Sequence, residues 1–348
     1  MGRSAKPVWR LHDALNAIDR ILADANASHL LTGNGVLRPA VEPEQVEAFQ
    51  ETAATYPDLA SWLSAAEMES YAEGVSSCGG GLLIPRGGAV DVPRMVHVLL
   101  EAAQTHGATI HTQSRVAWWS ERPNGTVTID VERTSKDTPP QTHPSTNHAS
   151  PDEHTRLNKH MRMGERTRVS GVLLLLCVGQ GYGAYPELTN VGLEGIKGQT
   201  VTVRRPAGTG PLMPMSGRGY IVPNDDDNTL ILGSSYTHNF ESLDLDPAKT
   251  TYILEKTSAM LPGLETVEVL DVMAGVRVKT KTSNLPVVGA LPGRDRIWAF
   301  TALGSKGLLT APLIARHLPA YLEDPAHIPD ELQIPHPSPS FASVSPHQ

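Results

Sequence analysis

The chain has 348 residues, of which 40% are hydrophobic and 19% charged, so it has the composition of a folded globular protein of roughly two domains and not of a disordered chain. Its 29 basic and 37 acidic residues give a formal net charge of −8, which argues against a nucleic-acid or anionic-membrane partner. The sequence predicts a cytoplasmic protein without a membrane span. Its two cysteines lack metal-ligand spacing, and it has no apolar run near 20 residues and no signal sequence.

The first hundred residues predict helices interrupted by one turn and one short strand. Apolar residues at steps of three and four predict an amphipathic helix over 7–25. A turn over 33–39 follows, and Pro43 opens a second helix. Glycines surround a predicted strand at 82–84, after which a helix begins near Pro93 and ends at Gly107.

The middle of the chain predicts two strands and a long polar segment. The strands are Thr109–Trp118 and Thr126–Val131. Residues 132–168 have almost no aliphatic side chains, which predicts a surface insertion. The insertion contains four histidines, His143, His148, His154 and His160. Their steps of five and six residues do not bring pairs to one helix face, so a solvated loop is favoured over a metal site.

The second half predicts mostly strands. Val169–Val178 has the continuous apolar pattern of a buried strand. The remaining predicted elements are strands at Gly198–Arg204, Tyr220–Pro223, Thr229–Gly233, Val267–Val278 and Ile297–Leu303, and helices at Pro247–Leu261 and Leu308–Leu322. The acidic run Asn224–Asn228 is interpreted as a hairpin connection, because the ligand spacing of a calcium loop is absent.

Two glycine loops follow predicted strands and are candidate cofactor sites. Gly179–Ala184 fits the dinucleotide pattern G-x-G-x-x-A. Pro186 lies where a phosphate-binding helix should run, which favours a strand-exit turn beside a cofactor and disfavours a nicotinamide dehydrogenase. Gly304–Gly307 joins a strand to a helix, whose free N–H groups would stabilise a phosphate or an electron-rich ring oxygen. An ordinary helix start is the alternative for this second loop.

Several motifs occur in a fixed order along the chain. They are Gly88–Pro93 before the helix that ends at Gly107, Tyr220–Pro223 with Leu232–Gly233, Ala274–Arg277 with Leu285–Gly289, and Ala302–Gly307 with Ala311–Pro312. In this order, from about residue 2 to 330, they resemble the D-amino-acid oxidase (DAO) family of FAD-dependent oxidoreductases. Within the family, Gly304–Leu308 with Ala311–Leu313 is similar to the oxidase domain of the bifunctional tRNA 5-methylaminomethyl-2-thiouridine biosynthesis proteins.

The resemblance implies an α/β (α+β) fold, with a Rossmann-like FAD-binding domain interleaved with a substrate domain built on a mostly antiparallel sheet. The FAD-binding domain would comprise residues 1–35, 94–195 and 272–330, including the insertion. The substrate domain would comprise 36–93 and 196–271, and 331–348 would be a flexible tail. The implied chemistry is hydride transfer to FAD from an amino acid or related secondary amine, including an amine carried on tRNA.

The resemblance also implies the site residues. Arg277 would bind a substrate carboxylate, for which its guanidinium fork is suited, and Tyr220 would line the substrate pocket. The residues expected at the flavin pyrimidine edge are Gly304, Ser305, Lys306, Gly307 and Leu308. Val116 and the turn from Cys177 to Gly179 would flank the adenosine half, and no metal is implied. A structural ion pair is the alternative role for Arg277, and a solvated loop lysine is the alternative for Lys306.

The chain departs from the family pattern at its start. The pattern opens with a strand, a G-x-G-x-x-G turn and a helix that bind the FAD pyrophosphate, and nothing before Trp9 matches that unit. Gly2–Ser4 is instead similar to the segment just after it, which predicts a misplaced start codon or a truncated gene. Val278 after Arg277, and Asn284 where aspartate is common, leave the substrate class open. The alternative function is a catalytically inactive, truncated relative that acts as a binding or interaction module.

Overall fold

The structure is a computed structural model that describes residues 10–32, 35–133, 166–210, 212–224 and 228–335. The four insertion histidines, Gly2–Ser4, the central residues of the Asn224–Asn228 run and most of the predicted tail lie outside the described residues. In the described ranges, no helix has the length and apolarity needed to cross a membrane. No three His, Cys, Asp or Glu side chains in those ranges stand close enough to hold a metal ion.

Two compact units divide the chain, and each combines three stretches of sequence. The first contains Met1–Gly107, Lys197–Thr237 and Leu243–Gly275, and the second contains Ala108–Ile196, His238–Ser242 and Val276–Gln348. Within the described residues, the domain division expected from the sequence differs from these units at 10–32, 35, 94–107 and 272–275, which belong to the first unit. It also differs at 196 and 238–242, which belong to the second unit. That division concerns cofactor and substrate binding, and it stays a prediction.

The helices and strands alternate along the chain as a mixed α/β protein. The described helices of at least one α-turn are α1 (Leu11–Asp24), α2 (Pro43–Thr55), α3 (Ala65–Glu69), α4 (Val92–Thr105), α5 (Pro186–Thr189), α6 (Pro247–Ser258) and α7 (Gly307–Glu323). The first eight strands are β1 (Leu31–Thr32), β2 (Val36–Pro39), β3 (Ser61–Ser64), β4 (Gly80–Ile84), β5 (Ala89–Val90), β6 (Ser114–Glu121), β7 (Val127–Arg133) and β8 (Arg166–Gly171). The other eight are β9 (Leu174–Leu176), β10 (Leu193–Arg204), β11 (Met215–Gly217), β12 (Gly219–Pro223), β13 (Thr229–Gly233), β14 (Val269–Thr280), β15 (Val287–Ala290) and β16 (Ile297–Thr301).

An eight-stranded sheet forms the centre of the first unit, in the order β14-β10-β13-β12-β11-β2-β4-β3. The β11–β2 pair is parallel, whereas β10 through β11 and β2 through β3 pair antiparallel. Leu37, Ile221 and Leu232 are fully buried on it, and Ile253 of α6 belongs to the same core cluster. Each such side chain stabilises the fold by about 1.5–3 kcal/mol.

The second unit contains two three-stranded sheets. The order β15-β16-β9 includes a parallel pair, β16 with β9, and β6-β7-β8 is an antiparallel meander. Trp119 of β6, Leu176 of β9 and Ile297 of β16 are buried in one core cluster. The two sheets therefore contribute to a common core within this unit.

Three sequence-based element predictions were wrong in part. The turn over 33–39 contains strand β2, whose Leu37 and Pro39 pair with Leu83 and Gly81 of β4. The strand predicted from Thr109 begins at Ser114. The single buried strand Val169–Val178 is two strands, and the first of these, β8, is exposed along its whole length.

The reason for the β8 error is that this strand has one described neighbour, β7, and carries ion pairs. Arg166 lies 2.7 Å from the Glu132 carboxylate, and Arg168 lies 2.8 Å from that of Asp130. Glu132 and Arg166–Arg168, which the sequence placed in the insertion, are thus strand residues. Val172, between β8 and β9, is 73% exposed.

Candidate functional site

Two neighbouring parallel strands of the second unit end at the same sheet edge. Ala299 of β16 stands beside Leu176 of β9 in the parallel register. The segments that follow, Ala302–Gly304 and Cys177–Gly179, therefore leave the sheet side by side. Ligands of α/β proteins bind beyond the carboxyl ends of parallel strands, so this edge is the candidate site.

The loop after β16 has an unusual backbone. Gly304 has φ 56°, and Ala302 has φ 62°, which is rare for a residue with a side chain. Thr301, the last strand residue, is 3% exposed, and its hydroxyl has no hydrogen-bond partner within the described part of the chain. A strained backbone and an unsatisfied buried hydroxyl are features that cluster at binding sites.

The N-terminus of α7 is open to an electron-rich group. Acidic residues lie at the N-termini of the other described helices of eight or more residues: Asp13 in α1, Glu42 before α2, Asp91 before α4 and Asp246 before α6. The α7 helix begins after Lys306 with no capping side chain and no acid in its first turn. No described residue accepts a hydrogen bond from the N–H of Gly307 or Leu308. These N–H groups and the helix dipole can bind an anion or a ring oxygen.

This loop is joined to the strand that carries Arg277. The N–H of Gly304 donates to the carbonyl of Val278, the next residue along β14, at 2.8 Å. Lys279 follows, and its Nζ lies 2.6 Å from Oε1 of Glu194. The hydrogen bond from Lys279 lowers the pKa of Glu194, and the charges of Lys279, His238 and Lys281 act in the same direction. The loop, Arg277 and these cations thus belong to one unit.

Tyr220 lies in the first unit, on β12. It is directly opposite Gly233 of β13, and its ring covers that residue. A Cβ atom added to Gly233 would lie 2.1 Å from Cζ of the Tyr220 ring. The position of the ring therefore requires glycine at 233, and the role of Tyr220 in a substrate pocket stays a prediction.

The other glycine loop does not form a pyrophosphate cradle. Gly179–Ala184 is a 3₁₀ helix, and the four-residue α5 follows it. No described protein atom lies within 4 Å of a Cβ built on Gly179 or Gly183. A dinucleotide diphosphate needs the N-terminus of a helix that continues beyond the glycine turn, and α5 ends after four residues. The described residues therefore fit the flavin end of FAD at α7 but do not fit its diphosphate.

The remaining predicted residues lie in or near the core cluster of the second unit. Val116 of β6 packs against that cluster while partly buried, and Cys177 is a free, exposed thiol after β9. Their expected contact with the adenosine half of FAD stays a prediction.

Sequence reasoning missed two features of this unit. Trp119 is buried with no described partner for its indole N–H, and its ring centroid lies 4.9 Å from that of Tyr185. The Lys279–Glu194 pair was also missed. The spacing of Lys279 two residues after Arg277 places both on the same face of a strand, and this was the available signal.

Comparisons with known proteins bear on the family and the fold of this chain. The profile of the family described as DAO, FAD dependent oxidoreductase, matches residues 3–320. A tRNA 5-methylaminomethyl-2-thiouridine biosynthesis bifunctional protein of Idiomarina loihiensis is 26% identical over 292 residues, covering 81% of this chain and 41% of that protein. The glycine oxidase of Pseudomonas aeruginosa is 28% identical over 179 residues, covering 48% of each. The chain thus spans less than half the length of these curated relatives.

Solved structures show the same fold. The crystal structure of glycine oxidase from Geobacillus kaustophilus has a TM-score of 0.73 at 17% identity, covering 97% of this chain and 85% of that one. Iminodiacetate oxidase from Chelativorans has a TM-score of 0.70 at 17% identity, covering 95% and 85%. At these identities the likeness concerns the fold alone, and it confirms the α/β fold class expected from the sequence.

Proposed function

The chain belongs to the DAO family of FAD-dependent oxidoreductases, and from this membership we propose that it oxidises an amino acid or a related secondary amine. FAD, when bound, supplies the acceptor for the hydride that leaves the carbon next to nitrogen. The observation that carries the proposal is the uncapped N-terminus of α7 at the carboxyl ends of β9 and β16. Relatives and structural neighbours named as glycine oxidase and iminodiacetate oxidase support the substrate class.

The residues of this chain have separate tasks in the proposed reaction. The N–H groups of Gly307 and Leu308 would stabilise negative charge on the reduced ring. Arg277, half-buried on β14 one residue from the carbonyl that binds Gly304, would bind the substrate carboxylate through its fork of N–H donors. Lys279 and Glu194 would keep the net charge beside that arginine balanced.

The Arg277 role is tested by Arg277→Met in protein supplied with excess FAD. We expect kcat/KM for amino acids to fall by an amount that corresponds to a loss of about 2–5 kcal/mol of transition-state stabilisation. This is the usual effect of removing one partner of a buried charge pair. Turnover of the matching amines without a carboxylate should change less. Steady-state kinetics on paired substrates measures both quantities.

Arg168→Met is the matched control, because Arg168 is an exposed arginine of the same unit paired with Asp130. This variant should leave kcat/KM unchanged for both amino acids and amines without a carboxylate. If Arg277→Met retains amino-acid turnover within about threefold of the parent, roughly 0.65 kcal/mol, Arg277 does not bind the carboxylate.

A second candidate function is a catalytically inactive relative that acts as a binding module. The short helices at the Gly179–Ala184 loop, which do not form a diphosphate cradle, favour it. Anaerobic mixing of FAD-supplied protein with a panel of amino acids and secondary amines separates the two functions. Bleaching of the flavin absorbance supports the oxidoreductase, and its absence for every compound supports the binding module.

The proposed substrate class includes an amine carried on tRNA, through the likeness to the tRNA-modifying relatives. The net charge of −8 argues against it, because tRNA binding depends on basic surface. Filter binding with bulk tRNA at two salt concentrations tests this part of the proposal.

A further inference from the structure

One edge of the eight-stranded sheet is open within the first unit. Strand β14 stands at the end of the strand order, and β10 is its one neighbour within the described ranges. Its later part is covered, since the Val278 carbonyl accepts from Gly304. The segment Val269–Gly275 has no described hydrogen-bond partner on its outer side, which leaves a row of unpaired backbone groups.

The side chains around this edge are apolar and exposed. Met273 is 64% exposed and Leu245 is 52% exposed, and Val269 and Leu270 are also exposed. A groove of about 480 Å³ runs beside the edge. Its walls are Leu245, Pro247, Thr250 and Leu254 on one side and Val269 and Val272 on the other. Contiguous exposed apolar surface of this kind marks interaction sites.

Charge on the segment is nearly absent. Asp271 is its one ionisable residue, and the adjacent Glu268 is already paired with Arg204 at 2.6 Å. A charged ligand or a basic or acidic peptide would find no complementary charges along these seven residues. The surface suits a partner that presents backbone groups and apolar side chains.

We propose that this edge is a self-association surface, where Val269–Gly275 pairs antiparallel with the same segment of a second copy of the chain. An antiparallel strand pair is symmetric about a twofold axis, so the open edge can pair with the same edge of a second copy. This contact uses the edge of both copies and therefore produces a dimer. Centred on Val272, the pairing sets each Asp271 opposite Met273 of the other copy, which keeps the two carboxylates from facing one another. The two eight-stranded sheets become one continuous sheet, and the exposed side chains of both copies are buried at the junction.

Sedimentation velocity over a concentration series tests the proposal. We expect the full chain to form a dimer, and Met273→Lys to raise its dissociation constant at least about tenfold, or 1.4 kcal/mol. Val172→Lys, at a 73% exposed valine of the other unit, is the matched control and should dimerise like the parent. A parent chain that is monomeric at about 100 µM, or a Met273→Lys protein that dimerises like the parent, overturns the proposal.

Disulfide cross-linking tests the register. In a Cys78→Ser, Cys177→Ser background, Asp271→Cys and Met273→Cys proteins are oxidised mildly, each alone and as a mixture. The pairing places residue 271 opposite residue 273, so the mixture should give several-fold more linked dimer than either protein alone. Equal yields in all three samples overturn the antiparallel pairing centred on Val272.

Discussion

Individual side chains of this protein are fixed by contacts that their sequence neighbours do not reveal. A side chain at position 233 would overlap the Tyr220 ring, which occupies the space across the strand pair. The family motif around Tyr220 is local and was visible in the sequence, as were Arg277 and the Gly304–Gly307 loop. The Lys279–Glu194 pair joins two distant strands, so the local spacing could place Lys279 on the same strand face as Arg277 but could not predict Glu194 as its partner.

Gly233→Ala should lower the free energy of unfolding by about 1–3 kcal/mol, because its Cβ would overlap the Tyr220 ring. Urea unfolding followed by tryptophan fluorescence measures the change. Gly183→Ala is the control, since nothing lies within 4 Å of its Cβ, and it should be neutral within about 0.5 kcal/mol. Equal stability of the two variants would mean that Tyr220 does not lie over Gly233.

Glu194→Gln should remove part of the acid sensitivity of the fold. The pKa of Glu194 lies below its ordinary 4.5 because Lys279 donates to it, so its stabilisation is present above pH 4.5 and is lost as the pH falls below that value. The pair is partly exposed, so we expect an effect below about 1 kcal/mol. Unfolding curves from pH 7 to 3 should show the parent and variant converging at the acid end, and a constant difference would contradict the ion-pair role.

At the level of elements, the helices were predicted well and the strands less well. Periodicity and capping residues define α2, α4 and α6 within a few positions, because both signals lie inside each helix. The strands β2 and β8 were missed or misassigned because their pairing depends on distant partners. A run of apolar residues such as Val169–Val178 does not show where a chain leaves one sheet and enters another.

Asp91→Ala should destabilise the protein by about 1 kcal/mol, because the Asp91 carboxylate accepts the Arg94 N–H at 3.0 Å and caps α4. Thermal unfolding measures the loss, and Asp91→Asn should retain most of the stability because its amide oxygen can still cap. If the alanine and asparagine variants melt together below the parent, the contribution is charge and not capping.

At the scale of the whole molecule, the family membership implies FAD, but the described residues fit only part of that cofactor. The flavin end has a candidate site at α7, whereas the diphosphate has none in the described ranges. The resemblance identified the cofactor from the order of motifs. The division of the chain into two interleaved units was not readable from any single motif, because it depends on contacts between distant stretches.

The chain of residues 1–348 should purify with little flavin and should bind FAD no more than about threefold more tightly than riboflavin. Each diphosphate contact that the described residues do not supply forfeits about 1.5–3 kcal/mol, the usual range for hydrogen bonds to charged groups. Equilibrium dialysis with both ligands measures the ratio. One equivalent of FAD retained through gel filtration, or a hundredfold preference for FAD, would contradict the prediction.

The interleaving of the two units also dictates an order of events during synthesis on the ribosome. The last stretch of the first unit ends at Gly275, and its sheet needs β10, β13 and β14 beside β2 and β4. Until those strands emerge, Leu37 lacks most of its core cluster, which includes Val201, Ile221 and Leu232. Folding of this unit therefore waits until Gly275 has emerged, and until then the growing chain presents apolar surface to chaperones.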